Sequence, residues 1–585
     1  MAGGRRAGAY TAAALVALLT FVTFVPLLGF PFLNWDDQDV FVRNDALRAD
    51  GPIAWAFTTR FMEHYQPLAW VTWIGVDRTL GLMPSAAHGL NVALHALCAG
   101  MVWMLIWRTG TAWKAVPYNE SDHGPAKAEH YVAALAALVW AVHPLRVEPV
   151  AWASAMPYSL ALLFALLATL AWLDGWALTA AILVQLSLFS RPLALALPVV
   201  LWLIRRPSTR RELVALLLAL AGAAAAALAE SSARLTATLA EVGLGARLTL
   251  AATAPWRYLW RTIWPERLTP LDPLALTPQT DALAIVLGVG GIVLVSAAAW
   301  RWRHRAPLLA GAWAAYLLLL APAMGLVPSG LQATADRYSY MPGVALSVAL
   351  AAALAAILAR VGQVGGQAGR VGQVGRGQGT ETALGIVGLA AVAVLALVTW
   401  RQIGYWRDSV TLWTRAVELD SRNDVALYNL GAALAEAGQR DEAMKRYQQL
   451  LTIVPHHEAG RRNRDLLEAA RLEEEGNRLA ASRDLTSAIA RYTEAVRLDP
   501  RRTHSQAALG MALLENGRVA AARPHLQAAL DQGVNEPAVP NALAFALAQA
   551  GEDDAAIAIL RAARQRFPDD PNIAGNLAAL EQQRR

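Results

Sequence analysis

From residue 11 to residue 30 the chain is an almost unbroken apolar run. A helix of that length covers about 30 Å, the hydrocarbon thickness of a bilayer. Comparable runs recur near 85–107, 131–150, 155–173, 175–190, 191–204, 212–229, 282–300, 306–326, 340–359 and 382–400. The pattern predicts about eleven membrane spans, the pair within 175–204 being the shortest. Segment 244–264 is apolar but broken by Arg247, Pro255, Arg257 and Arg261, which predicts a helix lying in the interface. The first run has no small-residue cleavage site before Asn34, so it reads as an uncleaved span. Beyond about residue 400 the pattern changes. Charged residues enter at helical spacing, and no run there is long enough to cross a membrane.

That C-terminal part repeats at about 34 residues, the tetratricopeptide period. Gly431, Gly510 and Ala544 fall at one small-residue position, where the first helix of a unit crosses its partner. Ala443, Ala488, Ala522 and Ala556 fall at the small position of the second helix, and Gly438, Gly517 and Gly551 mark the turn between them. Pro455, Pro500 and Pro568 close units by removing a helix donor. Units are expected at about 424–457, 469–502, 503–536 and 537–570, the second irregular near Gly476. Trp413 to Asp420 reads as an isolated helix leading in. The fold class predicted is all-α: a polytopic membrane domain over 1–400 followed by a repeat solenoid over 401–585. The repeated Val-Gly-Gln-Val-Gly within 361–380 reads as a flexible cytoplasmic loop.

Composition agrees. The chain is 56% hydrophobic and 16% charged, with mean hydropathy +0.34, too apolar for a soluble protein of 585 residues. Its net charge of +6 comes largely from arginines in short loops, which fits membrane orientation rather than nucleic-acid binding. A single cysteine, Cys98, excludes a disulfide within the chain. Placing Arg5 and Arg6 in the cytoplasm puts the basic segments 108–127, 205–211, 301–305 and 360–376 inside as well. The repeats then lie outside the cytoplasmic membrane, together with every charged motif of interest.

Those motifs are acids and arginines at span ends. Asp36 and Asp37 follow the first span, where a carboxylate can act as a general base or hold a cation. In His143-Pro144-Leu145-Arg146-Val147-Glu148 the proline breaks a helix as it leaves the bilayer, and the cations suit a lipid phosphate. Arg191 sits in Ser190-Arg191-Pro192 with almost no loop, a costly place unless it faces an anion. Arg337 beside Tyr338 can bind phosphate while the ring packs on isoprenoid or sugar. Each has a plainer reading as a helix cap, a snorkelling cation or an aromatic belt. His88, Asn91 and His95 share a helix face and are read as packing and hydrogen-bonding residues. Asp37-Gln38-Asp39 is too short a pattern to carry a metal, and no metal or other cofactor is predicted. No Gly-rich phosphate loop, zinc signature or Ser-His-Asp arrangement stands out.

Taken in order, these stretches resemble the bacterial relatives of the transmembrane and tetratricopeptide repeat-containing O-mannosyltransferases, within the glycosyltransferase C superfamily. The resemblance is carried by Asn34-Trp35-Asp36-Asp37, Gln66-Pro67-Leu68, Gly81 to Pro84 with His88, Asn91 and His95, and His143-Pro144-Leu145 with Val147-Glu148. It continues through Ser190-Arg191-Pro192, Trp264-Pro265 with Leu268, and Gln332 to Pro342, then runs into the repeats. It implies an active site at the outer face, a polyprenyl-phosphate-linked sugar donor and an acid of the first outer loop as base. That role falls on Asp36 or Asp37, with Glu148 a further candidate carboxylate. His143, Arg146, Arg191, Arg337 and Tyr338 become candidates for the lipid phosphate. The expected activity is transfer of a mannose-like sugar to a protein hydroxyl, with the repeats holding the acceptor protein. Where the family carries a charged Glu-Arg-Lys-Asp-like stretch after Trp152, this chain has Ser154-Ala155-Met156-Pro157-Tyr158-Ser159. The competing expectation is a membrane-anchored repeat scaffold without chemistry.

Overall fold

The computed structural model describes residues 2–110, 125–230, 242–273, 280–326, 332–369 and 376–584. It is 81% helical, and its β structure is a short antiparallel pairing of Asp272–Pro273 with Gln332–Thr334, so the all-α class holds. The chain divides into two compact units, Met1–Ala426 and Leu427–Arg585.

Among the described residues of the first unit, seven helices are long and apolar enough to cross a membrane, or up to eight if one bent pair is a single span. They are Gly8–Gly29, Pro84–Gly110, Ala153–Leu173, Arg210–Ala229, Ala282–Trp302, Pro342–Arg360 and Gly385–Gly404. The bent pair is His130–Ala141 with Pro144–Ala151, turned by 59°. The break falls at Pro144, whose ring cannot continue the preceding helix. The count expected from sequence was higher because short apolar runs were included. Ala177–Ser190 and Pro307–Leu320 have 14 residues each and Leu197–Ile204 has 8. A 14-residue helix reaches only about 21 Å.

The short pair nevertheless follows the long central helix Ala153–Leu173 end to end. Arg191 lies beside Tyr158 near the start of that helix, and Arg205 exchanges hydrogen bonds with Trp172 near its finish. Ala177–Ser190 therefore runs back towards Tyr158, and Leu197–Ile204 returns to the level of Trp172. Ala282–Trp302 has 6% of its apolar window buried, with Leu283, Val286, Leu287 and Leu294 each at least 66% exposed. Such a surface is costly in water and costless in lipid. Leu244–Ile263 is a helix of 20 residues with Pro255 inside it and is not among the helices apolar enough to cross a membrane.

Helices cover much of the Gly-rich segment read as a loop: one runs from Pro342 to Gly369 and the next from Arg376 to Gly404. Residues 370–375 lie outside the described ones.

The second unit contains tetratricopeptide helix pairs. Arg440–Ile453 follows a first helix that begins at Asp424. Then come Glu458–Ala481 with Leu485–Leu498, Thr503–Glu515 with Val519–Asp531, and Ala538–Gln549 with Asp553–Arg566. Pro571–Gln583 closes the array. The irregular second unit is explained by its first helix, which is 24 residues long. Its crossing residue is Gly476. A Cβ there would lie 2.6 Å from the Tyr492 ring, as one at Gly431 would lie 2.7 Å from Tyr447 and one at Gly510 2.6 Å from Leu526. Ala443, Ala488, Ala522 and Ala556 are all fully buried, so small side chains set the helix spacing throughout. Arg440 with Glu474 and Arg523 with Glu552 join successive units, and Arg502, just before the third pair, bonds Glu473 in the first helix of the second.

Candidate functional site

The motifs that sequence placed at span ends converge on one end of the first unit. The loop after the first span comes first. Asp37 is fully buried and consumed by the fold: its carboxylate accepts from the Leu33 amide at 3.1 Å, the Ser154 amide at 2.9 Å and the Ser154 hydroxyl. Asn34 is tied by its amide to Ser409 Oγ at 2.9 Å, and its Oδ1 accepts from Trp413 Nε1 at 2.7 Å. Trp35 stacks on Trp152 at 4.2 Å between ring centroids and meets the edge of Trp413 at 5.3 Å.

Asp36 is the member of this loop left over. Among the described residues its carboxylate accepts no hydrogen bond, and it is only partly exposed. Burial pushes its pKa up to about 6, against the pull of the Arg337 and Arg191 guanidiniums, with Asp39 adding a small upward push. Burial likewise raises Asp37 to about 6, opposed by its hydrogen bonds to Ser154 and Leu33.

Two arginines face this loop, and their circumstances differ. Arg337 is buried and charge-paired. It pairs with Glu148, donates from Nε to the Tyr158 hydroxyl at 3.1 Å and from a terminal nitrogen to Gln332 Oε1 at 2.6 Å, and its amide donates to Glu148 at 3.2 Å. Its guanidinium lies over Trp152 and Tyr338, both at 5.1 Å. Arg191 has neutral partners: Gln66 Oε1 at 3.0 Å, His64 Nε2 at 3.0 Å and the Tyr158 hydroxyl at 3.3 Å, with its charge over the Tyr158 ring at 5.0 Å. Among the described residues it forms no ion pair, so its charge is balanced only at longer range by Asp36. A half-buried guanidinium in that condition is suited to an added anion.

Glu148, Arg146 and His143 make their hydrogen bonds within the fold. Glu148 is 2% exposed and spends both carboxylate oxygens on Arg337. Arg146, also 2% exposed, donates to the Ser339 carbonyl at 2.9 Å and the Ser339 hydroxyl at 3.1 Å. His143 caps the turn at Pro144, accepting from the Leu145 amide at 3.2 Å, while Nε2 meets the Thr262 carbonyl at 3.0 Å. Arg261 bridges Asp336 and Asp272 at 3.1 and 3.2 Å. Asn91 donates to carbonyls at Val150, Trp152 and Ala153, and His95 lies between the Tyr340 hydroxyl and the Ala141 carbonyl. These two residues hold the bent helix pair that carries Glu148.

Sequence reasoning missed Ser154 and Tyr158. Both sit in the stretch that departs from the resembled family, and there Ser154 holds Asp37 while the Tyr158 hydroxyl joins Arg191 to Arg337. Gln66 enters the sequence reading only within Gln66-Pro67-Leu68, and His64 carries no signal of its own there. Their pairing with Arg191 spans 125 and 127 residues of sequence, beyond the reach of any local signal.

Tetratricopeptide repeat models match residues 425–457, 473–540 and 513–580. No curated protein matches the chain. Among solved structures, YrrB, described as a TPR protein with an unusual peptide-binding site, is 17% identical, over 29% of this chain and 83% of its own, with a TM-score of 0.21. A thermophilic TPR protein of Thermus thermophilus is 22% identical over 33% of this chain and 95% of its own, with a TM-score of 0.16. PilF of Pseudomonas aeruginosa is 15% identical over 34% and 91%, with a TM-score of 0.20. The repeats suggest a protein-interaction role, and the apolar helices suggest membrane association.

Proposed function

We propose that the chain is an integral-membrane glycosyltransferase, moving a mannose-like sugar from a polyprenyl-phosphate donor to a protein hydroxyl outside the cytoplasmic membrane. The observation that carries this reading is Asp36. Asn34, Trp35 and Asp37 are bound into the fold, and the carboxylate between Trp35 and Asp37 stays uncommitted, half-buried and opposed by two guanidiniums. With a pKa of about 6 it is ionised at neutral pH and still a stronger base than a solvated aspartate.

In the proposed step Asp36 takes the proton of the acceptor hydroxyl. The freed oxygen bonds to the anomeric carbon, and the bond from that carbon to the phosphate oxygen breaks. Its electron pair leaves with the lipid phosphate, whose growing charge Arg191 stabilises. Arg337, its charge already paired with Glu148, adds its field. Basic short loops would keep the N-terminus in the cytoplasm, and the repeats would present the acceptor protein on the outer side. A repeat scaffold without chemistry is favoured by the matched repeats, but it gives no use for this carboxylate.

The test supplies labelled polyprenyl-phosphate sugars to membranes holding the wild type, Asp36→Asn or Asp37→Asn. Label should enter protein with the wild type and fall by roughly 10²–10⁴ with Asp36→Asn, the usual loss of a general base. Asp37→Asn should keep most of the activity. A folded wild type that transfers no sugar from any donor, or an Asp36→Asn variant as active as the wild type, refutes the reading.

A further inference from the structure

Helix Ser409–Leu419 reads from sequence as a lead-in to the repeats, but it belongs to the compact unit that contains the membrane helices. Leu412, Trp413 and Ala416 are fully buried there. Its N-terminus is fixed by Asp408, which accepts from the Thr411 amide at 2.7 Å. The helix then meets the acid-bearing loop three times. The Ser409 hydroxyl accepts from the Asn34 amide, the Trp413 indole donates to the Asn34 side chain, and the Trp413 ring edges Trp35. Trp406, just before the helix, adds its ring at 6.5 Å from Trp35.

The loop is thus gripped from two sides. Ser154 and Trp152 hold Asp37 and the far face of Trp35, while Ser409 and Trp413 hold Asn34 and its near edge. Asp36 lies between the two grips with no hydrogen bond from its carboxylate among the described residues, so its place relative to Arg191 and Arg337 is set by the backbone on either side. We infer that Ser409 and Trp413 are positioning residues for Asp36, fixing where its carboxylate stands before the two arginines. The inference rests on the transferase reading for its catalytic meaning, but its structural content is independent of it. It also makes the first outer loop depend on the stretch of chain that continues, by Asp424, into the first repeat helix.

The test uses the full chain in membranes, with Ser409→Ala, Ser409→Thr and Trp413→Phe. Phenylalanine keeps the ring but loses the N–H, and threonine keeps the hydroxyl. Two readouts are taken. One is the pH dependence of carbodiimide modification at Asp36, followed by mass spectrometry, which needs no activity. The charged groups facing Asp36 are Arg337, Arg191 and Asp39, and all three are retained in every variant. The other is kcat and KM for sugar transfer. Loss of a grip should let water reach the carboxylate, so the modification midpoint falls from about 6 towards the ordinary value of 3.8. In Ser409→Ala and Trp413→Phe kcat should drop by roughly tenfold with KM little changed, as a misplaced reacting group predicts. Ser409→Thr should restore both. Unchanged midpoints in folded Ser409→Ala and Trp413→Phe overturn the inference. Shifted midpoints in a chain that transfers no sugar keep the positioning role and remove the transferase reading.

Discussion

Replacing Arg483 with glycine should stabilise the repeat unit, and the reason lies in one backbone angle. In three of the four helix pairs the turn between helices is made by a glycine in the left-handed region: Gly438 at φ +76°, Gly517 at +73° and Gly551 at +76°. The second pair has Arg483 at the same place, seven residues beyond Gly476, with φ +64°. An L-residue held there costs about 1–2 kcal/mol, because its Cβ crowds the following carbonyl. Glycine avoids that strain but loses about 0.5–1 kcal/mol more entropy on folding. The net gain is centred on about 0.75 kcal/mol, within a range of about 0–1.5 kcal/mol. The Arg483 side chain is exposed and makes no hydrogen bond or ion pair among the described residues, so no contact is lost. For a unit of this size the gain corresponds to a rise in Tm of about 1–4 °C. The assay is thermal and urea unfolding of the repeats followed by far-UV circular dichroism. Arg483→Ala keeps the strain and should change stability little. Gly438→Ala meets no atom within 4 Å, so it isolates the backbone cost and should lose about 1 kcal/mol. The argument fails if Arg483→Gly is no more stable than the wild type, or if Arg483→Ala gives the same gain.

Other outcomes follow from the site. On the proposed transferase reading the base must be ionised, so kcat/KM for transfer should fall about tenfold per pH unit below an apparent pKa near 6, measured as a pH–rate profile in which Asp36→Asn lacks this limb. Asp37 has a raised folded pKa, so its stabilising contribution is complete below the ordinary carboxylate value and lost as pH rises through about 6. Asp37→Asn should therefore gain on the wild type with rising pH, by up to about 3 kcal/mol above pH 6, read from melting temperatures across pH. Glu148→Gln leaves the Arg337 charge buried without its counter-ion, which should cost about 3–5 kcal/mol and lower the melting temperature steeply. Gly476→Ala places a Cβ 2.6 Å from Tyr492 and should destabilise the repeats by about 1–3 kcal/mol, measured by urea unfolding.

The sequence alone determined the class of this protein, because its signals are local and periodic. Spanning runs need only length and apolarity, and the repeat register needs only small residues at fixed intervals, so both could be read without contacts. The same reading gathered Asp36, Arg191 and Arg337 at span ends, since a charge at that depth is costly without a purpose. It could not divide roles among them. Whether Asp37 or Asp36 is spare depends on Ser154, 117 residues away from Asp37. Whether Arg337 or Arg191 carries unspent charge depends on Glu148, Gln66, His64 and Tyr158, which are scattered along the chain. The short helices 177–190 and 197–204 were ambiguous by length, and only their contacts at Tyr158 and Trp172 show how far they run. Helix 409–419 has an ordinary amphipathic sequence, and tertiary packing on Asn34 and Trp35 assigns it to the first unit. Hydrogen-bond partners across such distances leave no period in the chain, so the division between structural and available charge is decided in three dimensions.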